Sequence, residues 1–160
     1  MIRLEPLGAQ HLALIEAVLA DDETLRFTRI PVSAPEAFAR TWLSRYDEDG
    51  RAGFAIVAGG AEVGLALAPA LDRDTRTAEL GYIVLPGARG RGIATAALAR
   101  LSDWALAEGM LRLELVIDVE NAPSKRVAER CGYEREGVLR SAHVKQGIRA
   151  DVELWSRLAS

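Results

Sequence analysis

Residues 76–98 constrain the fold of this chain more than any other stretch. An apolar run at 78–85 ends at Pro86, and three glycines (Gly87, Gly90, Gly92) and two arginines (Arg89, Arg91) follow before an apolar-striped segment begins at Ile93. The pattern predicts a strand, a glycine-bearing turn and the start of a helix. Such a junction gathers main-chain N–H groups into a concavity at the positive end of a helix dipole, which suits a phosphate or pyrophosphate. Arg89 and Arg91 add side-chain donors for anionic oxygens.

Two common phosphate loops do not fit. The Walker-type loop needs Lys and Ser/Thr after its last glycine, and neither follows Gly92. The dinucleotide fingerprint needs Gly or Ala where Thr95 stands, and it belongs to a first βαβ unit rather than past mid-chain. What remains is Arg89-x-x-Gly92-x-Ala94.

Composition narrows the classes. The 160 residues suit one domain, 1–160, long enough to bury roughly 70% of the unfolded surface. A net charge of −3 gives no basic footprint for nucleic acid. No apolar run approaches the roughly 20 residues that span a bilayer, and residues 1–5 lack a signal peptide's apolar core. The expectation is therefore a cytoplasmic protein without a membrane partner. The single cysteine, Cys131, excludes an internal disulfide and a cysteine cage, and His11 and His143 lie far apart, so no metal is expected.

Along the chain, strands are predicted at 2–7, 54–57, 63–67, 78–85, 111–119, 138–144 and 152–158. Gly59-Gly60 and Gly147 mark hairpin turns. Helices are predicted at 9–20, from a capping box at Ser33, Pro35 and Glu36 to Gly50, from Ile93 to near Gly109, and at 123–130. Residues 21–31 read as a polar, turn-like stretch. The order is β-α-α-β-β-β-α-β-α-β-β, an α/β (α+β) chain with antiparallel hairpins and one parallel crossover at 78–119.

Beyond that crossover stands a second motif, Asn121-x-x-Ser124 followed by Gly132-Tyr133 and Gly137. Arg89-x-x-Gly92-x-Ala94 resembles the acetyl-CoA pyrophosphate loop of the GNAT N-acetyltransferases, written Gln/Arg-x-x-Gly-x-Gly/Ala. The second motif resembles that family's Asn-x-x-Ser/Ala…Gly-Phe/Tyr…Gly. Ser124-x-x-Val127, the run Cys131 to Gly137, Thr28-x-Ile30-Pro31 and the tail from Gly147 through Arg149 and Asp151 to Leu158 are similar to the RimJ/RimL-type branch, which acetylates N-termini of ribosomal proteins.

The resemblance implies a mixed, V-shaped sheet of about seven strands flanked by about four helices, parted between its fourth and fifth strands and commonly bulged at the fourth. It implies acetyl-CoA as co-substrate, lying in that split. Main-chain groups of Ile83, Val84 and Leu85 would pair with the pantetheine arm. The N–H groups of Arg89, Gly90, Arg91, Gly92, Ile93, Ala94 and Thr95 would hold the pyrophosphate. Asn121 would bond the pantetheine amides or a water, and Ser124 would lie beside the sulfur. Many members carry a tyrosine seven residues after the asparagine as acid for the departing thiolate; here that position is Ala128, which leaves Ser124 or a water. The family often forms homodimers.

The chemistry so implied is attack of a primary amine on the thioester, without an acyl-enzyme. An α-amine ionises at about 7.7–8.0 and a lysine amine at about 10.4, a difference worth roughly 3.4 kcal/mol of deprotonation. A weak, water-mediated base therefore serves an N-terminal amine. Glu79 is the first candidate base and Glu120 the second; Glu79 also reads as a strand-edge carboxylate bonded to Arg76 or solvent, and Asn121 as a plain helix cap. Phe27 and Arg29 are expected to line the acceptor site. Tyr82, Trp42 and Trp155 read as core aromatics, His143 as a surface strand residue, and Cys131 as a small buried residue rather than a nucleophile. The leading acceptor is a protein N-terminal α-amine. A small-molecule amine (polyamine, amino acid or aminoglycoside) and a non-catalytic acyl-CoA-binding module stay open.

Overall fold

Near-continuous apolar runs in the central strands, buried without a break over 64–68, mark a sheet covered on both faces, and the helices supply the two covers. The computed structural model describes residues 1–30 and 36–160. In chain order these are β1 (Ile2–Pro6), α1 (Leu12–Leu19), α2 (Asp22–Phe27), α3 (Glu36–Ser44), β2 (Ala52–Ala58), β3 (Ala61–Asp72), β4 (Thr77–Val84), α4 (Ile93–Ala107), β5 (Arg112–Asp118), α5 (Ala122–Arg130), β6 (Glu134–Lys145) and β7 (Ile148–Leu158). The expected mixed sheet of seven strands runs β1-β2-β3-β4-β5-β7-β6. Every neighbouring pair is antiparallel except β4 with β5. Gly59 and Gly60, at φ 58° and 82°, close the β2–β3 hairpin in the left-handed conformation that such a turn requires.

Alternation sorts the side chains. Leu65 and Leu67 of β3 pack beneath Leu14, Ile15, Val18, Leu25 and Trp42 of α1, α2 and α3. Ala66 and Ala68 belong to the opposite core with Leu98 and Leu101 of α4 and Val127 and Ala128 of α5. No described helix is long and apolar enough to cross a membrane.

Three features differ from the sequence reading. First, the stretch read as turn-like contains α2. Asp21 caps it, with Oδ2 accepting from Thr24 N–H at 3.0 Å and from Thr24 Oγ1 at 2.7 Å, and Asp22 and Glu23 follow in the first turn. Six residues are too few to display a helical stripe. Second, the extra residue at the bulge lies in β3 rather than in the fourth strand. Leu67 pairs with Gly81 and Ala70 with Glu79, so Ala68 and Pro69 together oppose Leu80. Pro69 has no N–H for the ladder, which is why the irregularity falls there. Third, β6 begins at Glu134, not 138, and is itself bulged. Between Leu139↔Val152 and His143↔Ala150, three residues face Asp151 alone. Ser141, at φ 53°, donates its N–H to Asp151 Oδ1 (2.7 Å) and accepts from Arg149 Nη1 (2.9 Å). Of the expected capping box, Ser33 and Pro35 lie outside the described residues, as does Pro31.

The sheet is split where expected. β4 and β5 pair only from Thr77↔Arg112 to Glu79↔Glu114. Beyond Glu79 the two strands part, β4 running on to Val84 and β5 to Asp118.

Candidate active site

The glycine loop enters α4 without a side-chain cap. Gly92 is the N-cap residue at φ 74°, and Gly90 sits at φ 75°. At neither would an added Cβ meet an atom within 4 Å, so open space lies before both. On the flanks, Ala88 N–H donates to Leu85 O (2.9 Å), Arg89 N–H to Pro86 O (3.3 Å) and Ala96 N–H to Gly92 O (3.1 Å). Between them the N–H groups of Gly90, Arg91, Gly92, Ile93, Ala94 and Thr95 have no acceptor among the described residues. Consecutive free amides at a helix N-terminus form an anion cradle.

The two loop arginines behave differently. Arg91 is exposed, with Nη2 donating to Gly87 O at 2.9 Å. Arg89 turns its guanidinium onto β4 and α2: Nε donates to Val84 O (2.9 Å), Nη1 to Glu23 Oε2 (2.5 Å) and Nη2 to Asp21 Oδ2 (2.5 Å). Its main-chain N–H is also in use, so the set of seven amides expected from 89 to 95 is reduced to six.

A similar narrowing applies to the β4 edge. Leu85 N–H donates to Val63 O (2.8 Å). The alternation of an antiparallel ladder then directs the polar groups of Ile83 to β3 and those of Val84 to the split. The Val84 carbonyl is covered there by Arg89, which leaves the Val84 N–H as the donor facing the open V.

Across the split, Asn121 caps α5, its Oδ1 accepting from Ser124 N–H at 3.3 Å. Ser124 in turn receives a hydrogen bond from Tyr82 Oη of β4 at 3.1 Å. Burial pushes the Tyr82 hydroxyl up to about 12. Sequence reasoning placed Tyr82 in the core, and its ring does pack there; the contact of its hydroxyl was not legible. Cys131 donates to Thr95 O (3.4 Å), and burial raises its thiol further from the thiolate a nucleophile needs.

Odd-numbered residues of β4 face α1–α3, and there Glu79 meets Arg29 in an ion pair. Arg26 bonds Glu120 at 3.0 Å and stacks over Phe27 at 4.7 Å. Lys145, at the end of β6, reaches over to Thr28 O (2.5 Å). Burial lowers the Lys145 ammonium, and burial with Arg29 nearby lowers His143, which is half-buried rather than simply on the surface. The stretch after α2 and the tip of the β6–β7 hairpin thus meet over Glu79, where the strands begin to part. Sequence reasoning named Phe27, Arg29 and Glu79 but missed Lys145, since no local pattern links residues 28 and 145.

Comparison with known proteins agrees with this geometry. The family described as Acetyltransferase (GNAT) domain matches residues 2–134. The Bacillus subtilis (strain 168) protein named "Putative ribosomal N-acetyltransferase YdaF" is 30% identical over 97% of this chain and 88% of its own length. The fold matches a spermidine N-acetyltransferase from Vibrio cholerae in complex with CoA and spermine, at TM-score 0.89 and 20% identity over 98% of this chain and 95% of that one. It equally matches the Salmonella typhimurium acetyl transferase that modifies the N-terminal serine of ribosomal protein L7/L12, at TM-score 0.89 and 20% identity over 99% and 95%. With a family match over most of its length and a free-amide loop at the mouth of a parted sheet, this chain belongs to the GNAT family and is an acetyl-CoA-dependent N-acetyltransferase.

Proposed function

We propose that residues 1–160 act as one domain that transfers the acetyl group of acetyl-CoA to the α-amine of a protein N-terminus. The observation that carries the choice of acceptor is the pairing of acids with arginines at the acceptor side, Glu79 with Arg29 and Glu120 with Arg26. A polycation such as spermidine is held by unpaired carboxylates, and these two are already engaged. A carboxylate shared with a guanidinium orients the incoming amine or a water. That suffices for an α-amine, of which a sizeable fraction is neutral near pH 7.4, and falls short for a lysine amine by roughly 3.4 kcal/mol.

In this reading the pyrophosphate lies against the amides of Gly90 to Thr95, with Arg91 beside it, and the pantetheine arm runs along the free edge of β4 in the manner of an added strand. Asn121 contacts the pantetheine from the N-terminus of α5. The amine enters between Phe27, Arg29 and Lys145 and attacks the thioester carbonyl. The Val84 N–H meets the developing oxyanion, Glu79 takes the ammonium proton through a water, and Ser124 faces the departing sulfur.

Thiol release from acetyl-CoA, paired with mass spectrometry of the product, tests this. The panel is an unblocked peptide without lysine, an Nα-blocked peptide with lysine, and spermidine. The unblocked peptide is expected to react at least tenfold faster in kcat/KM than either competitor. Preference for spermidine or lysine would refute the α-amine assignment, and binding of CoA without release for any amine would refute catalysis.

A further inference from the structure

Ser124 and Ser102 are both helical serines, yet they use their protons differently. Ser102 Oγ donates to Leu98 O, one turn back, at 2.7 Å. Ser124 Oγ accepts from Tyr82 Oη, and its own proton has no acceptor among the described residues. Its peptide N–H is meanwhile held by Asn121, so its main chain is fixed and its hydroxyl is half-buried in the split between β4 and α5. A hydroxyl oxygen offers one proton and two lone pairs. With one lone pair occupied by Tyr82, that proton takes a direction other than the one toward Tyr82.

We propose that Tyr82 is a positioning residue of the transfer reaction: by donating to Ser124 Oγ it aims the Ser124 proton at the sulfur that leaves the acyl donor. The inference rests on the acetyl-transfer reading above and adds a residue to it. As the amine lone pair forms the C–N bond, the C–S bond breaks and its electron pair goes to sulfur. The proton lost by the new ammonium goes to the water at Glu79. The charge on sulfur is met by a hydrogen bond from Ser124, and the thiolate, whose thiol ionises near 8.5, needs no full proton to depart. No proton leaves Tyr82. With its hydroxyl pushed up to about 12, it remains a donor across the working range.

The test is a cycle of Tyr82→Phe, Ser124→Ala and the double variant, read by steady-state kinetics and by calorimetric titration with CoA. Tyr82→Phe keeps the ring in the core. It is expected to lower kcat about tenfold, through weakening of the hydrogen bond that Ser124 gives the leaving thiolate, while KM for acetyl-CoA and Kd for CoA stay within about twofold. Ser124→Ala is expected to lose a similar factor, and the double variant no more than Ser124→Ala alone. A Tyr82→Phe protein with unchanged kcat, losses that multiply in the double variant, or a CoA Kd that moves in step with kcat would each overturn the positioning role. A wild-type protein that releases no thiol overturns the acetyl-transfer reading and this inference with it; an active wild type matched by Tyr82→Phe overturns the inference alone.

Discussion

Replacing Arg89 by alanine separates two roles that the glycine loop's arginine could play. The sequence suggests a donor for the ligand's anionic oxygens, whereas the structure engages its guanidinium with Val84 O, Asp21 and Glu23. The substitution leaves the Asp21 carboxylate, whose side chain is only 14% exposed, with Thr24 as its remaining partner and uncovers the Val84 carbonyl. Losing hydrogen bonds between charged groups at a site about one-third open to solvent costs about 2 kcal/mol. For a chain of this size that is a fall in Tm of about 4–8 °C. Thermal unfolding without ligand at neutral pH measures it, and CoA titration should show little change. The effect also has a pH signature. Burial raises the Asp21 carboxyl, but hydrogen bonds from Thr24 and Arg89 outweigh it and hold the group below its ordinary 3.8. A group depressed in the folded state stabilises above its unfolded value and loses that contribution as pH falls through the folded one. The gap in Tm between wild type and Arg89→Ala should therefore be complete near neutrality and close below pH 3.8. An unchanged Tm with CoA binding weakened tenfold would refute the clasp and restore the ligand-donor reading.

Three further outcomes follow from the same geometry. The chain has three tyrosines, and burial pushes each hydroxyl, in Tyr46, Tyr82 and Tyr133, up to about 12. Phenolate absorbance should stay flat near pH 10 in the folded protein, and because the folded values are raised, stability should decline between about 10 and 12; ionisation near 10 before unfolding contradicts this. Gly64→Ala should cost about 3 kcal/mol, seen as a lower urea midpoint, because the added Cβ would lie 2.1 Å from Ile83 O; an unmoved midpoint would show that the strands do not approach so closely. Lys145→Ala removes the tie to Thr28 O and should raise KM for the amine severalfold with CoA affinity intact, whereas equal losses in both would place Lys145 outside the acceptor site.

What the sequence revealed were features whose cause is local. The strand, the paired glycines and the helix start at 93 are written in consecutive residues, and the succession of seven strands along the chain follows from alternation and turn chemistry, whereas the insertion of β7 between β5 and β6 does not. α2 escaped because its six residues show no period, although Asp21 and the acids behind it are a helix-start signal. The β3 bulge had its local marker in Pro69. The direction of Arg89 and the contacts Tyr82–Ser124 and Lys145–Thr28 join residues far apart in the chain, and side-chain aim across such distances is set by packing. The tail residues Arg149 and Asp151 stood out in the sequence without an assigned purpose; their physical one is to hold Ser141 in the β6 bulge.

That bulge lets the end of β6 bring Lys145 to the segment after α2, while the donor loop is assembled wholly from residues between β4 and α4. On the proposed reading, recognition of the universal reagent and choice of the variable one fall to separate stretches of polypeptide, joined through β4 and through the Arg89 clasp on α2. On that reading, substitutions at the hairpin tip retune which amine is accepted and leave the grip on the coenzyme in place.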